Sequence, residues 1–177
     1  MRIEVIGMTH VAGIYYNDTA AAPGWSVSVY VSGCHFHCPG CHNPEAQDFN
    51  YGEEFTAETF NKIRDALYAN GVKRSLCILG GEPLAPENRL LVSRLISFCR
   101  QAYPWLQTYV WTGYTMEEIE ANRLTDRSIH AIHLNADYII DGLFEQDKRD
   151  ITLKMRGSSN QRIWHNNKAL ATWELVE

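Results

Sequence analysis

The stretch Trp25-Ser-Val-Ser-Val-Tyr-Val-Ser-Gly33 leads without a break into Cys34-His-Phe-His-Cys38-Pro-Gly-Cys41. Its first part alternates small polar with apolar residues, which is the period-2 pattern of a β-strand. Its second part holds three cysteines, one thiolate fewer than a closed all-cysteine zinc site or an ordinary iron-sulfur cluster requires. We therefore expect a strand that ends in a metal-binding loop with one open coordination position.

Helices and strands are predicted to alternate along the rest of the chain. Apolar residues at helical spacing indicate one helix over 56–69 and a second with Pro86 in its first turn and Pro104 beyond its end. Capping-box spacing between Thr115 and Glu118 indicates a short third helix. The inward face of the second helix is predicted to consist of Leu91, Leu95, Phe98 and Ala102. The further strands are predicted over 75–79, 107–111 and 137–140.

This alternation is typical of an α/β fold with a mostly parallel sheet. A complete eight-fold barrel takes about 250 residues, and this chain has 177. We therefore expect a partial, open (βα) barrel, formed by one domain over 1–177. Because parallel strands end at one common edge, Gly80-Gly81-Glu82-Pro83 and Trp111-Thr112-Gly113-Tyr114 should lie beside the cysteine loop.

Composition restricts the possible partners and the compartment. The formal net charge is -5 and no block of Lys or Arg is present, so neither a nucleic acid nor an anionic membrane is an expected partner. The apolar N-terminal stretch is rejected as a signal peptide because Glu4, Thr9 and His10 interrupt it. The chain is therefore expected in the cytoplasm, a reducing compartment in which its five cysteines bind metal or react rather than form disulfides. Two of them, Cys77 and Cys99, are expected to be core residues.

Two kinds of metal centre are compatible with the cysteine spacing. A cubane iron-sulfur cluster could take one thiolate on each of three irons, which leaves one iron without a protein ligand. Alternatively, one of His35, His37 or His42 completes a zinc site of three thiolates and an imidazole. Structural zinc usually draws its ligands from two separated pairs, so the spacing favours the cluster without excluding zinc.

The motifs resemble those of a known group of enzymes. The spacing Cys34-x-x-x-Cys38-x-x-Cys41 resembles the CxxxCxxC motif of radical S-adenosylmethionine (SAM) enzymes, and Gly80-Gly81-Glu82-Pro83 resembles their GGEP element. With the Pro-Gly before the first strand, Trp-Thr-Gly-Tyr over 111–114 and Arg-Gly-Ser-Ser-Asn-Gln-Arg over 156–162, nearly the whole chain resembles the activating proteins of anaerobic ribonucleoside-triphosphate reductases.

This resemblance implies a radical SAM type of fold, with a [4Fe-4S] cluster and SAM as cofactors. Reduced flavodoxin or ferredoxin would supply an electron, SAM would be cleaved reductively, and a glycyl radical would form on the reductase. No side chain is assigned a catalytic role, because the cofactors supply the chemistry. The resemblance implies cluster ligation by Cys34, Cys38 and Cys41, and SAM binding by Gly80, Gly81, Glu82, Thr112 and Gly113.

Some questions stay open at this point. The chain could activate another glycyl-radical enzyme, such as pyruvate formate-lyase, or could be a non-catalytic zinc or iron-sulfur binding module. The late motif over 156–162 could contact SAM, stabilise the last strand or meet the reductase. Its polar members are Arg156, Ser158, Asn160 and Arg162.

Overall fold

The computed structural model describes residues 9–177. These residues form one eight-stranded sheet and four α-helices. The strands are β1 (His10–Asp18), β2 (Ser26–Val31), β3 (Glu53–Glu54), β4 (Ser75–Gly80), β5 (Thr108–Trp111), β6 (Tyr138–Asp141), β7 (Arg162–Asn167) and β8 (Thr172–Leu175). The helices are α1 (Ala57–Ala66), α2 (Arg89–Ala102), α3 (Met116–Asn122) and α4 (Arg127–Asn135).

The sheet is open and only partly parallel. Its order is β3-β1-β2-β4-β5-β6-β7-β8, and parallel pairing is confined to the four central strands β2, β4, β5 and β6. The pairs β1–β2, β6–β7 and β7–β8 are antiparallel. The α/β prediction holds, but the sheet is not mostly parallel. Short connections such as 168–171 cannot make the crossover that parallel neighbours require.

Helices cover one face of the central strands. Val27, Val29 and Val31 of β2 are buried on this face, in the same core as Ile96 of α2 and Ile132 of α4. Burying a Val, Leu or Ile side chain contributes roughly 1.5–3 kcal/mol, so this layer fixes the order of the central strands. A smaller apolar cluster lies apart from this core and contains Ala22, Cys77, Tyr109, Ile140 and Ile163.

The predicted cap of α3 is confirmed, whereas the predicted start of α2 is wrong. The Thr115 hydroxyl accepts from the Glu118 amide and the Glu118 carboxylate accepts in return, which confirms the capping box of α3. The first helix also begins after a capping box, formed by Thr56 and Thr59. Pro86 lies in the turn before α2, so its predicted place in the first helical turn is wrong.

The predicted inward face of α2 is partly wrong. Leu95 is buried as expected, but Leu91 and Phe98 are half-buried and Ala102 is exposed. The buried apolar residues are instead Val92, Leu95, Ile96 and Cys99. Asn88, directly before the helix, donates to the carbonyl oxygens of Ser32 and Glu82, each at 2.9 Å. This anchor fixes where the helix begins and therefore which of its faces meets the sheet.

Several elements were not predicted at all, namely β1, β3, α4, β7 and β8. The apolar N-terminal stretch that was rejected as a signal peptide begins within residues 1–8, which lie outside the described residues, and continues into β1. Over 9–177, no helix is both long and apolar enough to span a membrane.

Candidate functional site

The predicted motifs meet at the C-terminal ends of the parallel strands. The cysteine loop follows β2, the Gly-Gly-Glu turn follows β4 and Thr112-Gly113 follows β5. Parallel pairing brings Val31 opposite Gly80 and Val110 opposite Ile139, so these strands end at the same edge. The fold thus brings residues that are far apart in sequence to one rim, as expected for a parallel sheet.

Backbone contacts hold the start of the cysteine loop in place. The Gly33 amide donates to the Ala46 carbonyl oxygen at 2.7 Å, and the Cys34 amide donates to the Gln47 carbonyl oxygen at 3.1 Å. Gly33 has a φ of +94°, and a Cβ there would lie 1.9 Å from the Phe49 ring. Glycine is therefore required where the chain leaves β2.

The Gly-Gly-Glu turn packs directly against this loop. A Cβ on Gly81 would lie 2.5 Å from the Gly33 carbonyl oxygen and 2.9 Å from that of Ala46. The Gly81 amide donates to the Val31 carbonyl oxygen at 2.7 Å, and the Glu82 amide donates to that of Gly33 at 2.8 Å. The two motifs therefore form one backbone unit, and any side chain at Gly81 would separate them.

The carboxylate of Glu82 connects the second strand end to the third. It is 2% exposed and accepts from the Thr112 hydroxyl at 2.7 Å, the Gly113 amide at 2.7 Å and the Leu84 amide at 2.8 Å. Burial raises the pKa of Glu82 to about 7, although these hydrogen bonds favour its ionised form. A cationic ligand beside this carboxylate would relieve the cost of burying its charge.

All eight predicted site residues line one cavity of about 210 Å³. No Lys or Arg side chain lines it within 9–177, and Glu82 is its acidic residue. The predicted residues that it brings together are Cys34, Cys38, Cys41, Gly80, Gly81, Glu82, Thr112 and Gly113.

The three thiols are half-buried and unpaired with any other cysteine. Burial raises the pKa of Cys34 and of Cys38, while backbone amides oppose this rise, from Phe36 and His37 at Cys34 and chiefly from Phe144 at Cys38. A thiol that is desolvated in this way needs a cationic partner to remain a thiolate, which iron would supply. Three thiols on one cavity, with bare glycine backbone beside them, fit an iron-sulfur cluster with an open position.

The histidines of the loop have other contacts. Nε2 of His35 lies 3.1 Å from both carboxylate oxygens of Glu87, and Nδ1 of His37 lies 2.9 Å from the Gln47 side-chain oxygen. His42 lines the cavity. Among residues 9–177, no three His, Cys, Asp or Glu side chains are grouped so that they could hold a single metal ion.

The sequence prediction missed the part of the cavity that follows β6. Leu143, Phe144 and Met155 line it together with the predicted residues and with Gln161 of the late motif. The signal that could have found them is the end of the predicted fourth strand, which reaches the same rim. The segment over 142–157 is irregular apart from the short turn Gln146–Lys148.

The role of the late motif over 156–162 could not be decided from the sequence, and in the structure this motif contacts the segment after β6 and the sheet. Asn160 donates to the Leu143 carbonyl oxygen at 2.8 Å, and the buried Ser158 hydroxyl accepts from the Glu145 amide at 3.2 Å. Arg162 forms ion pairs with the fully buried Asp141 at 2.5 Å and with Glu117 at 2.7 Å. These contacts show a structural role, holding the loop after β6 and joining β7 to the sheet.

Comparison with known proteins identifies the family. Residues 20–164 match the model of a 4Fe-4S single cluster domain. The chain is 34% identical over 152 residues to a protein of Escherichia coli strain K12, a match that covers 85% of this chain and 95% of the relative. It is 33% identical over 153 residues to a protein of Enterobacteria phage T4, covering 86% and 92%.

A protein of Pasteurella multocida is 35% identical over 151 residues, covering 85% of this chain and 93% of the relative. All three relatives are named anaerobic ribonucleoside-triphosphate reductase-activating protein. Because the matches span nearly the full length of these relatives, the chain belongs to the family of anaerobic ribonucleoside-triphosphate reductase-activating proteins.

Proposed function

We propose that this protein is a radical SAM enzyme that generates a glycyl radical on an anaerobic ribonucleoside-triphosphate reductase. The observation that carries the proposal is the shared cavity, in which three half-buried thiols face the Gly-Gly-Glu turn. The family model of a single 4Fe-4S cluster and the names of the relatives support both the cofactor and the partner.

Cys34, Cys38 and Cys41 would hold a [4Fe-4S] cluster through three of its irons. The bare backbone of Gly80 and Gly81 would let the methionyl end of SAM approach, and the Glu82 carboxylate would attract its positive charge. Thr112 and Gly113 would keep that carboxylate in place through their 2.7 Å hydrogen bonds. When bound, the cluster and SAM would supply the one-electron chemistry that removes a hydrogen atom from a glycine of the reductase.

The chain itself would bind, orient and shield these groups. Phe36 and Leu143 lie so close to Gly113 that a Cβ there would be 2.7 and 2.8 Å from them, so the far side of the cavity is apolar. Apolar walls offer a radical few groups with which it could react other than the intended glycine. We further propose that residues 1–177 are one domain whose sheet curves into an open barrel of the radical SAM type, whose open side admits the glycine loop of the reductase.

Reduced flavodoxin or ferredoxin is the proposed electron donor, and the cytoplasm is the proposed compartment. The second proposal is supported by the five cysteines, none of which forms a disulfide. In a reducing compartment the three thiols of the loop stay available for iron.

Anaerobic reconstitution with iron and sulfide tests the enzymatic proposal. We expect about four irons per chain, an EPR signal of the reduced cluster that changes when SAM is added, and release of 5'-deoxyadenosine and methionine on reduction. The unreconstituted protein is the control. Tightly bound zinc, or a cluster whose EPR signal does not change when SAM is added, would contradict the proposal and favour a non-catalytic module.

A further inference from the structure

The segment over 142–157, called the strap below, packs on the cysteine loop. The Phe144 ring meets the His42 ring edge to face, with 5.1 Å between ring centroids. A Cβ on Gly40 would lie 2.0 Å from the side-chain oxygen of Gln146, so Gln146 covers the backbone between Cys38 and Cys41. The strap thus contacts the cysteine loop immediately before and immediately after Cys41.

One side chain joins the two ends of the strap. The Gln161 side-chain oxygen accepts from the Gly157 amide at 2.8 Å and from the Ser158 amide at 3.2 Å. Its side-chain nitrogen donates to the Gly142 carbonyl oxygen at 3.0 Å. Gly142 and Gly157 are the first and last residues of the strap, so these three hydrogen bonds close it into a loop.

Other side-chain contacts of the strap do not join its first residue to its last. Asn160 holds only the start of the strap, through the Leu143 carbonyl oxygen. The pair between Lys148 and Glu145 lies within the strap, and both side chains are about half-exposed, so it contributes little. The Ser158 hydroxyl and the Trp111 indole each hold the strap at one point, through the Glu145 amide and the Met155 carbonyl oxygen. Gln161 is the side chain that bonds both its first and its last residue.

We propose that Gln161 is a positioning residue that keeps the strap closed over the cysteine loop and thereby protects the cluster from loss of iron. The proposal rests on the proposed function, because it requires a cluster on Cys34, Cys38 and Cys41. A closed strap restricts access of water and of chelators to the cluster.

The test uses Gln161→Met, which keeps the length of the side chain and removes all three hydrogen bonds. The matched control is Asn166→Leu, because Asn166 also donates to backbone carbonyl oxygens, among them that of Ala136 at 3.0 Å, and does not line the cavity. Both variants should unfold at a lower temperature than the wild type. If Gln161 had a structural role alone, the two variants would therefore lose iron at the same rate.

The readouts are taken on the reconstituted protein without SAM, so direct contact of Gln161 with SAM cannot produce them. We expect EDTA to remove iron from Gln161→Met about tenfold faster than from the wild type, the factor that corresponds to about 1.4 kcal/mol, or one to two hydrogen bonds. Asn166→Leu should lose iron at the wild-type rate.

A second variant guards against a failure of Gln161→Met to fold. Gln161→Asn keeps the amide group without adding a charge but shortens the side chain by one methylene, so it weakens the three hydrogen bonds, and iron loss should be faster than in the wild type and no faster than in Gln161→Met. An unchanged rate of iron loss in the Gln161 variants, or an equal change in Asn166→Leu, would overturn the positioning role alone. A wild type that assembles no cluster would overturn the proposed function with it.

Discussion

Replacement of Glu82 by Gln removes one negative charge from the cavity and also the oxygen that accepts from the Gly113 amide. The side chain is 2% exposed and already accepts three hydrogen bonds, so its position is fixed before any ligand binds. Gln has the same length and keeps an oxygen that can accept from Thr112 and Leu84. The expected consequence is weaker binding of SAM, whose sulfonium is positively charged at every pH.

The magnitude follows from the burial of this charge. A hydrogen bond or close contact to a charged group in a protein is worth about 1.5–3 kcal/mol, which is a loss of roughly 10- to 150-fold in affinity. Burial raises the pKa of Glu82 to about 7, so the carboxylate is mostly ionised at about pH 8 and mostly protonated at about pH 6. Binding to the wild type should therefore weaken roughly tenfold between these values.

The assay is equilibrium binding of SAM to the anaerobically reconstituted protein, followed by the change in the EPR signal of the cluster. Wild type and Glu82→Gln are titrated at both pH values. The amine of SAM titrates in the same way with either protein, so the ratio of the two dissociation constants isolates Glu82. This ratio should be roughly five- to tenfold larger at the higher pH than at the lower pH, because about a tenth of the Glu82 carboxylates remain ionised at the lower pH.

Two results would refute this reasoning. If Glu82→Gln binds SAM as tightly as the wild type at the higher pH, the carboxylate does not face the cation. If the ratio is large but independent of pH, Glu82 does not titrate in this range, and burial does not control its charge. Iron content must be equal in both proteins, because loss of the cluster would mimic weak binding.

Three further changes test the ligands, the backbone unit and the buried ion pair. Cys38→Ala should assemble no stable cluster by iron content and visible absorbance, whereas Cys77→Ser, buried away from the cavity, should keep it. Gly81→Ala should cost about 1–3 kcal/mol in urea unfolding through overpacking, whereas Gly13→Ala, whose Cβ would meet nothing closer than 3.8 Å, should cost far less. Asp141→Asn removes the buried carboxylate that accepts from Arg162 and from the Met116 amide, and because Arg162 is about one-third exposed and keeps Glu117, the change should cost about 1–3 kcal/mol. An intact cluster in Cys38→Ala would contradict the first expectation, and an equal loss of unfolding free energy in Gly81→Ala and Gly13→Ala would contradict the second. The third would be contradicted if Asp141→Asn lowered the free energy of unfolding by less than about 1 kcal/mol.

The rim of the sheet could be predicted because its signals are local. The alternation before Cys34 marks a strand, and Gly-Gly after one strand and Thr-Gly after the next mark their ends. The rule that parallel strands share an edge then brings the motifs together without knowledge of any contact. The capping box of Thr115 and Glu118 is likewise encoded within four residues and was predicted correctly.

The remainder depends on contacts that leave no local pattern. The antiparallel strands β7 and β8 are half exposed, and their pairing joins residues through a turn that includes Ala171 at a φ of +52°. The sequence of the strap shows no helical or strand periodicity. Its shape depends on Asn160 and Gln161, whose side chains donate to backbone carbonyl oxygens that are far away in sequence. Glu82 was predicted to touch SAM, but its anchor on the Thr112 hydroxyl could be seen only in the folded chain.

The most direct test of the central claim is EPR detection of a glycyl radical on an anaerobic ribonucleoside-triphosphate reductase. The reconstituted protein is incubated anaerobically with SAM, reduced flavodoxin and the reductase, with a pyruvate formate-lyase in a parallel sample. We predict a glycyl radical signal on the reductase alone, formed only when SAM is present, together with 5'-deoxyadenosine. No radical on the reductase despite a full cluster and bound SAM, or a radical on the formate-lyase instead, would contradict the claim.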